Sequence, residues 1–336
     1  MATSEPVRQT DPALILDVTA LSVSFGTEQG RVNVVRDVGF QIRAGETVAL
    51  VGESGCGKSV TALAIMGLID YPGRVDSGSI RLLGDEIINM PTAQLQAIRG
   101  RRVGMIFQEP MTSLNPVFTI GNQIGEVLIN HFGGSEAAVR EQVLELLAKV
   151  GISSPQQRIN QYPHELSGGM KQRVMIAMAL ACKPDLLIAD EPTTALDVTI
   201  QAQILALLKE LQDEMGMAVL LITHNLGVVA HFASQVMVMY AGEIVERAAV
   251  RPLFKSPSHP YTRALLESIP TPAQHGRPLA CIVGTVPSPF EFPSGCRFST
   301  RCSRVMARCH SEHPNLVTVA DGQQAACWLN EEGAIL

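Results

Sequence analysis

The sequence predicts an α/β fold: a parallel sheet flanked by helices, with a small antiparallel sheet before it and an irregular, cysteine-rich extension after it. Three observations carry this. Short apolar runs, "GETVALVG", "DLLIAD" and "AVLLITH", alternate with helical spacing, the pattern of buried parallel strands joined by crossover helices. Two longer runs near the start, "LILDVTALSVSF" and "VNVVRDVGFQI", read as a pair of antiparallel strands. Beyond about Arg251, prolines recur at 252, 257, 260, 270, 272, 278, 287, 289 and 293, and four of the seven cysteines gather between positions 296 and 327.

The 336 residues suffice for one large or two medium domains, and a hydrophobic content of 46% supports a substantial core. A formal net charge of -6, with no run of Lys and Arg, argues against nucleic acid as the main partner. The longest apolar run, Val174 to Cys182, is about half of the roughly 18 residues a membrane span needs. The polar N-terminus has no apolar secretion segment. These features predict a cytosolic chain that reaches a membrane only through a partner. In a reducing compartment, clustered cysteines point to metal or redox chemistry before disulfides.

Taken in order, residues 1–13 are expected to be a flexible N-terminus. The antiparallel pair comes next, then the strand "GETVALVG" running into a glycine-rich turn and the helix "KSVTALAIMGLI". From about Pro116 to Gly151 the spacing is helical, with "EAAVREQVLELLAKVG" an amphipathic helix ending at a glycine. After "LSGG" a helix runs toward Pro184. Strand "DLLIAD", helix "VTIQAQILALLKELQDEMG", strand "AVLLITH" and helix "LGVVAHFA" follow, and the extension begins near residue 251.

Chemistry enters at "GESGCGKS", which fits G-x-x-x-x-G-K-S/T at every fixed position, between an apolar strand and a helix. The glycines Gly52, Gly55 and Gly57 let backbone N–H groups curl around phosphate oxygens, together with those of Glu53, Ser54, Cys56, Ser59 and Val60. The helix N-terminus adds partial positive charge. Lys58 is expected to reach the β- and γ-phosphates, and the Ser59 hydroxyl to bind Mg²⁺. The Cys56 thiol sits at a free position of the loop and is assigned no chemistry. Further on, "LLIADE" places Asp190 and Glu191 at a strand end. The first is suited to holding Mg²⁺ and the second to orienting or deprotonating water. Behind a phosphate loop this pair spells a nucleoside triphosphatase. "LSGGMKQR" adds a second glycine-rich helix start, Ser167, Gly168 and Gly169. One nucleotide needs one cradle, so the second could serve a nucleotide held by another subunit.

The order "GESGCGKS", "FQEP", "LSGGM", "LLIADEP", "TTALD" and "LITH" resembles the ATP-binding-cassette ATPases over about Leu14 to Arg251. The resemblance implies a P-loop NTPase of cassette type over residues 14–250, with a RecA-like core, an antiparallel β subdomain and a helical subdomain at about 109–170. It implies that Gln108 contacts Mg²⁺ and the attacking water, that Glu191 is the general base and that His224 positions the γ-phosphate. Ser167, Gly168 and Gly169 would then close over the γ-phosphate of the opposing subunit, and Asp197 would lie at the subunit interface. Phe25 aligns with the aromatic that stacks on adenine, although a core position in its strand fits it nearly as well.

Met170 stands where many cassettes carry glutamine. "LSGGM", "FQEPMTSLNP", "ADEPTTALDVTIQAQI", "SPSHPYTRALLESIP" and "VGTVPSPFEFPSGCRF" together resemble the D-type ATPase of dipeptide and oligopeptide importers, whose C-terminal extension would occupy residues 251–336. The resemblance implies a second, F-type ATPase subunit, two transmembrane permease subunits and an extracytoplasmic peptide-binding protein. It places the chain peripherally at the cytoplasmic face of the inner membrane. Nickel, glutathione and opine systems share this ATPase type, so the cargo stays open. A soluble cassette ATPase in repair or translation is the alternative from another class, but this chain has neither a second cassette nor a long coiled-coil insertion.

Cys296, Cys302, Cys309 and Cys327 follow C-x5-C-x6-C-x17-C, which matches neither zinc ribbons nor the bacterial ferredoxin run. Four thiolates can hold a zinc ion or an iron–sulfur cluster, and unligated thiols are the third possibility. The resemblance implies a [4Fe-4S] cluster, with Zn²⁺ as the alternative.

Overall fold

A computed structural model of the chain describes residues 13–108, 113–194, 196–269 and 281–331. The N-terminus expected to be flexible, except Ala13, and the opening of the expected helical subdomain at 109–112 lie outside the described residues. The two first strands are β1 (Leu14–Thr27) and β2 (Gly30–Arg43), paired antiparallel as their alternation predicts. Sequence reading missed their neighbour β4 (Gly73–Leu82), in which polar residues and two glycines break up the apolar alternation; with the short β5 (Asp85–Glu86) it completes a sheet in the order β2-β1-β4-β5.

The second sheet has eight strands in the order β11-β12-β10-β9-β3-β8-β7-β6. Its parallel part comprises β6 (Val103–Ile106), β7 (Leu186–Asp190), β8 (Ala218–Thr223), β3 (Thr47–Val51) and β9 (Gln235–Tyr240). Every residue of β3, β7 and β8 is buried, which explains their unbroken apolar character. Alternate residues supply different cores. Leu186, Ile188, Leu220 and Ile222 pack with β1 and β2, whereas Leu187, Ala189, Val219 and Leu221 pack against helices. Each fully buried Val, Leu or Ile contributes about 1.5–3 kcal/mol, so a charge introduced in these strands would undo the platform beneath the site.

The helices start where the sequence supplies oxygen caps. Thr119, Ser135, Ser167 and Asp197 accept hydrogen bonds from backbone N–H groups at the heads of Ile120–Phe132, Glu136–Lys149, Gly168–Leu180 and Val198–Met215. No helix among the described residues is long and apolar enough to cross a membrane.

The C-terminal segment is less separate than its composition predicts. Strand β12 (Gln323–Ala325) pairs antiparallel with β10 (Glu243–Ala249), and β11 (Val317–Ala320) pairs with β12, so the segment extends the main sheet. Tyr261 and Phe298 are buried in one core with Val51, Val236 and Val238. Local spacing could not show this, because the pairing joins strands some 77 residues apart.

Candidate functional site

The parallel strands β3, β8, β7 and β6 are adjacent, and their carboxyl ends all point to one edge. At that edge the glycine-rich loop leaves β3, His224 follows β8, Asp190 ends β7 with Glu191 next, and Gln108 lies just after β6. Open α/β sheets bind ligands outside the carboxyl ends of their strands. Residues scattered over 170 positions of sequence thus meet because of strand order.

The loop curls tightly. A Cβ on Gly52 would lie 2.2 Å from the Met239 carbonyl oxygen, and one on Gly57 only 2.8 Å from the Met239 side chain, with φ at +108°. Both positions therefore demand glycine. Ser54 and Gly55 are exposed at the tip, whereas Cys56 is buried, and burial pushes its thiol pKa up. No side chain caps the helix Lys58–Ile65, so its first N–H groups have no side-chain acceptor. This is the form a phosphate cradle takes. Lys58 is 5% exposed. Its Nζ donates to the carbonyls of Gly52 at 2.9 Å and Glu53 at 3.0 Å, so the ammonium lies inside the loop. Val60 is half-buried against the core shared with β1 and β2.

Glu191 is a hub. Its Oε1 lies 3.1 Å from His224 Nδ1, while its Oε2 accepts hydrogen bonds from Thr194 Oγ1 at 2.9 Å and Gln108 Nε2 at 3.3 Å. Burial by itself would raise the Glu191 carboxyl, but the hydrogen bonds from His224 and Thr194 and the nearby positive charge outweigh it and hold the pKa low. Asp190 behaves oppositely. Burial and the Glu191 charge raise it, against a hydrogen bond from the Ser59 hydroxyl. Its Oδ1 is buried without a hydrogen-bond partner among the described residues. An ionised carboxylate in that state is short of a cation, so Asp190 and Ser59 fit Mg²⁺ well.

The structure thus brings together Lys58, Ser59, Asp190, Glu191, His224 and Gln108. Thr194 was missed, since a threonine inside "TTALD" carries no chemical signal by itself. Ser167 and Gly168 are exposed at their helix start, where Ser167 accepts from the Met170 N–H at 3.4 Å. A Cβ on Gly169 would lie 3.0 Å from Ile200, which packs this helix against the one that Asp197 caps. The Asp197 side chain accepts from the Ile200 N–H at 2.9 Å. Phe25 is half-buried in β1 against Gly73, where a Cβ would come within 2.7 Å of the ring.

The four C-terminal cysteines line one small cavity, with His259, Phe298, Ser299 and Trp328 among its other walls. All seven cysteines are free of disulfides. Burial, with hydrogen bonding and the other thiols as secondary influences, pushes Cys296 to about 12 and Cys327 to about 11. Among the described residues, no three His, Cys, Asp or Glu side chains are placed to hold a metal ion. The expected [4Fe-4S] or Zn²⁺ ligand set is therefore gathered as to donors but not arranged around a centre. The clustering predicted a four-thiolate ligand set; the structure brings the four thiols to one cavity without placing three of them to hold a metal ion.

A family model described as ABC transporter matches residues 35–194, and one described as oligopeptide/dipeptide transporter, C-terminal region, matches residues 245–309. The dipeptide transport ATP-binding protein DppD of Escherichia coli is 50% identical over 313 residues, covering 93% of this chain and 96% of that protein. The oligopeptide transport ATP-binding protein AppD of Bacillus subtilis is 51% identical over 319 residues, covering 95% and 97%. Among solved structures, the ATP-binding cassette MJ0796, in a dimeric post-hydrolysis state with ADP and Pi, matches with a TM-score of 0.64 at 30% identity. That match covers 70% of this chain and 99% of the cassette.

Proposed function

Because this chain belongs to the ATP-binding proteins of oligopeptide/dipeptide ABC transporters, we propose that it is the ATP-hydrolysing subunit of a membrane importer of short peptides. The observation that carries the catalytic reading is the convergence of Gln108, Thr194 and His224 on Glu191 beside the phosphate loop. The loop N–H groups other than that of Glu53, which donates to the Tyr261 hydroxyl instead, and Lys58 bind the β- and γ-phosphates, and the glycines admit the phosphate chain close to the backbone. Asp190 and Ser59, with Gln108, would hold Mg²⁺, which when bound would neutralise charge on the phosphate oxygens. Glu191 orients a water in line with the γ-phosphorus and takes up its proton. The water oxygen bonds to phosphorus, the bond to the bridging oxygen breaks, and ADP and phosphate result. Against the effect of burial, the His224 and Thr194 contacts hold the Glu191 pKa low and so favour the carboxylate form that can accept a proton.

The relatives' names support peptides as cargo. Import requires two permease subunits and an extracytoplasmic binding protein, with this chain peripheral at the cytoplasmic face of the inner membrane. Ser167 and Gly168, exposed at their helix start, and the half-buried Gly169 suit a nucleotide carried by a second ATPase subunit, which we assign to the F-type. Asp197 and the 80%-exposed Val198 belong to that interface. Phe25 is assigned to the adenine. The four cysteines are assigned to a [4Fe-4S] cluster, a reading supported by four thiols lining one cavity. Residues 14–250 are the nucleotide-binding unit, and 251–336 form the extension.

Uptake of labelled dipeptide by the reconstituted complex tests the function. Uptake should require ATP and vanish with Lys58→Ala; undiminished uptake by that variant would refute the reading. Subunit stoichiometry tests the partner: two copies of this chain with no other ATPase would exclude the F-type subunit. Iron analysis of anaerobically purified chain should give about four irons, reduced by Cys296→Ser, Cys302→Ser, Cys309→Ser or Cys327→Ser. One zinc per chain would put Zn²⁺ in its place.

A further inference from the structure

Glu53, the second residue of the phosphate loop, is held from every side. Its carbonyl accepts from Lys58 Nζ at 3.0 Å. Its backbone N–H donates to the Tyr261 hydroxyl at 2.9 Å, and its carboxylate accepts two hydrogen bonds from Arg301, at 2.6 and 3.0 Å. Tyr261 and Arg301 both lie in the C-terminal segment; the second is 248 positions away in sequence.

Neither contact is a loose surface pairing. Tyr261 is 0% exposed and the Arg301 side chain 4%. The Arg301 guanidinium is fixed further by the carbonyls of Val283 at 3.0 Å and Gly284 at 3.1 Å, so it is oriented before it meets Glu53. A two-point arginine–carboxylate pair in such a setting is strong and directional. Arg301 also sits directly beside Cys302. Arg297, next to Cys296, donates to the Ala241 carbonyl and pairs with Glu243 at 3.0 Å. Both arginines of the stretch between these two cysteines therefore reach into the nucleotide-binding unit.

A free carboxylate at the start of the phosphate loop would oppose a triphosphate by like-charge repulsion, and would also leave the first turn of the loop unheld. We propose that Arg301 and Tyr261 are positioning residues for ATP: they neutralise and anchor Glu53, so that the affinity of the phosphate loop depends on the C-terminal segment. The proposal rests on the nucleotide-site reading above and extends it to residues outside the cassette motifs.

The test is calorimetric titration of the full-length chain with Mg²⁺ and ATP. Arg301→Gln should raise Kd about tenfold, and adding Glu53→Gln should bring it back to within about threefold of wild type, in the usual range of coupling between sites. A purely structural role for Arg301 predicts no such recovery, because the double variant lacks the same arginine contacts. The proposal is overturned if Arg301→Gln binds ATP as the wild type does, or if the double variant stays as weak as the single one. A wild-type chain that binds no ATP would be a different failure, overturning the nucleotide-site reading and this proposal with it.

Discussion

At the first glycine-rich helix start, the chain closes the site with its own side chains. Lys58 is 5% exposed and bonded to the carbonyls of Gly52 and Glu53, and Glu53 is gripped by Tyr261 and Arg301. At the second, Ser167 and Gly168 are exposed, and among the described residues the Ser167 side chain is seen only capping its own helix. Val198, near by across the helix contact, is an exposed apolar residue. Two similar stretches of sequence thus have different fates. The first is finished by side chains of this chain, and the second is a surface directed outward, the arrangement proposed above for a ligand carried by another subunit.

Substitutions can break or sharpen this contrast. Lys58→Ala should have the largest effect, lowering ATP affinity at least about 100-fold through two or more lost charged hydrogen bonds, and abolishing hydrolysis. Calorimetry on the isolated chain reads the first; near-normal affinity would remove Lys58 from the finished site. Glu191→Gln should retain ATP binding while the assembled complex turns over at least ~100-fold more slowly. Phosphate release near the wild-type rate would shift the base role, first to His224. Gln108→Ala should slow turnover about tenfold, the scale of one hydrogen bond lost near the attacking water. An unchanged rate would confine Gln108 to a bystander contact. The smallest effect belongs to the outward region. Asp197→Ala removes a helix cap worth about 1 kcal/mol, which thermal unfolding should show as a small drop in Tm with ATP binding to the isolated chain intact. An unchanged Tm would mean that the cap is dispensable.

The two regions were not equally legible in the sequence. The phosphate loop could be read because its geometry forbids side chains at fixed positions: the Met239 carbonyl would collide with a Cβ on Gly52. Asp190 and Glu191 could be read because two acids ending a wholly apolar strand are conspicuous. The second glycine-rich helix start was conspicuous in the sequence, but its exposure was not, since exposure depends on what packs around it. Nothing in local spacing announced the contacts of Arg301 and Tyr261 with Glu53, which join residues more than 200 positions apart. Strand β12 escaped for a related reason. "QQA" has no strand signature and forms a strand because the open edge of β10 offers it a partner. The composition shift at residue 251 concealed how firmly that segment is joined to β10 and to the glycine-rich loop after β3.

The contrast is tested most directly by ATP binding to the isolated full-length chain carrying Ser167→Ala, measured beside Lys58→Ala under the same conditions. Ser167→Ala should bind ATP with the wild-type Kd, while Lys58→Ala should bind at least about 100-fold more weakly. Loss of affinity in the isolated Ser167→Ala chain would contradict it, because the second helix start would then serve the chain's own nucleotide.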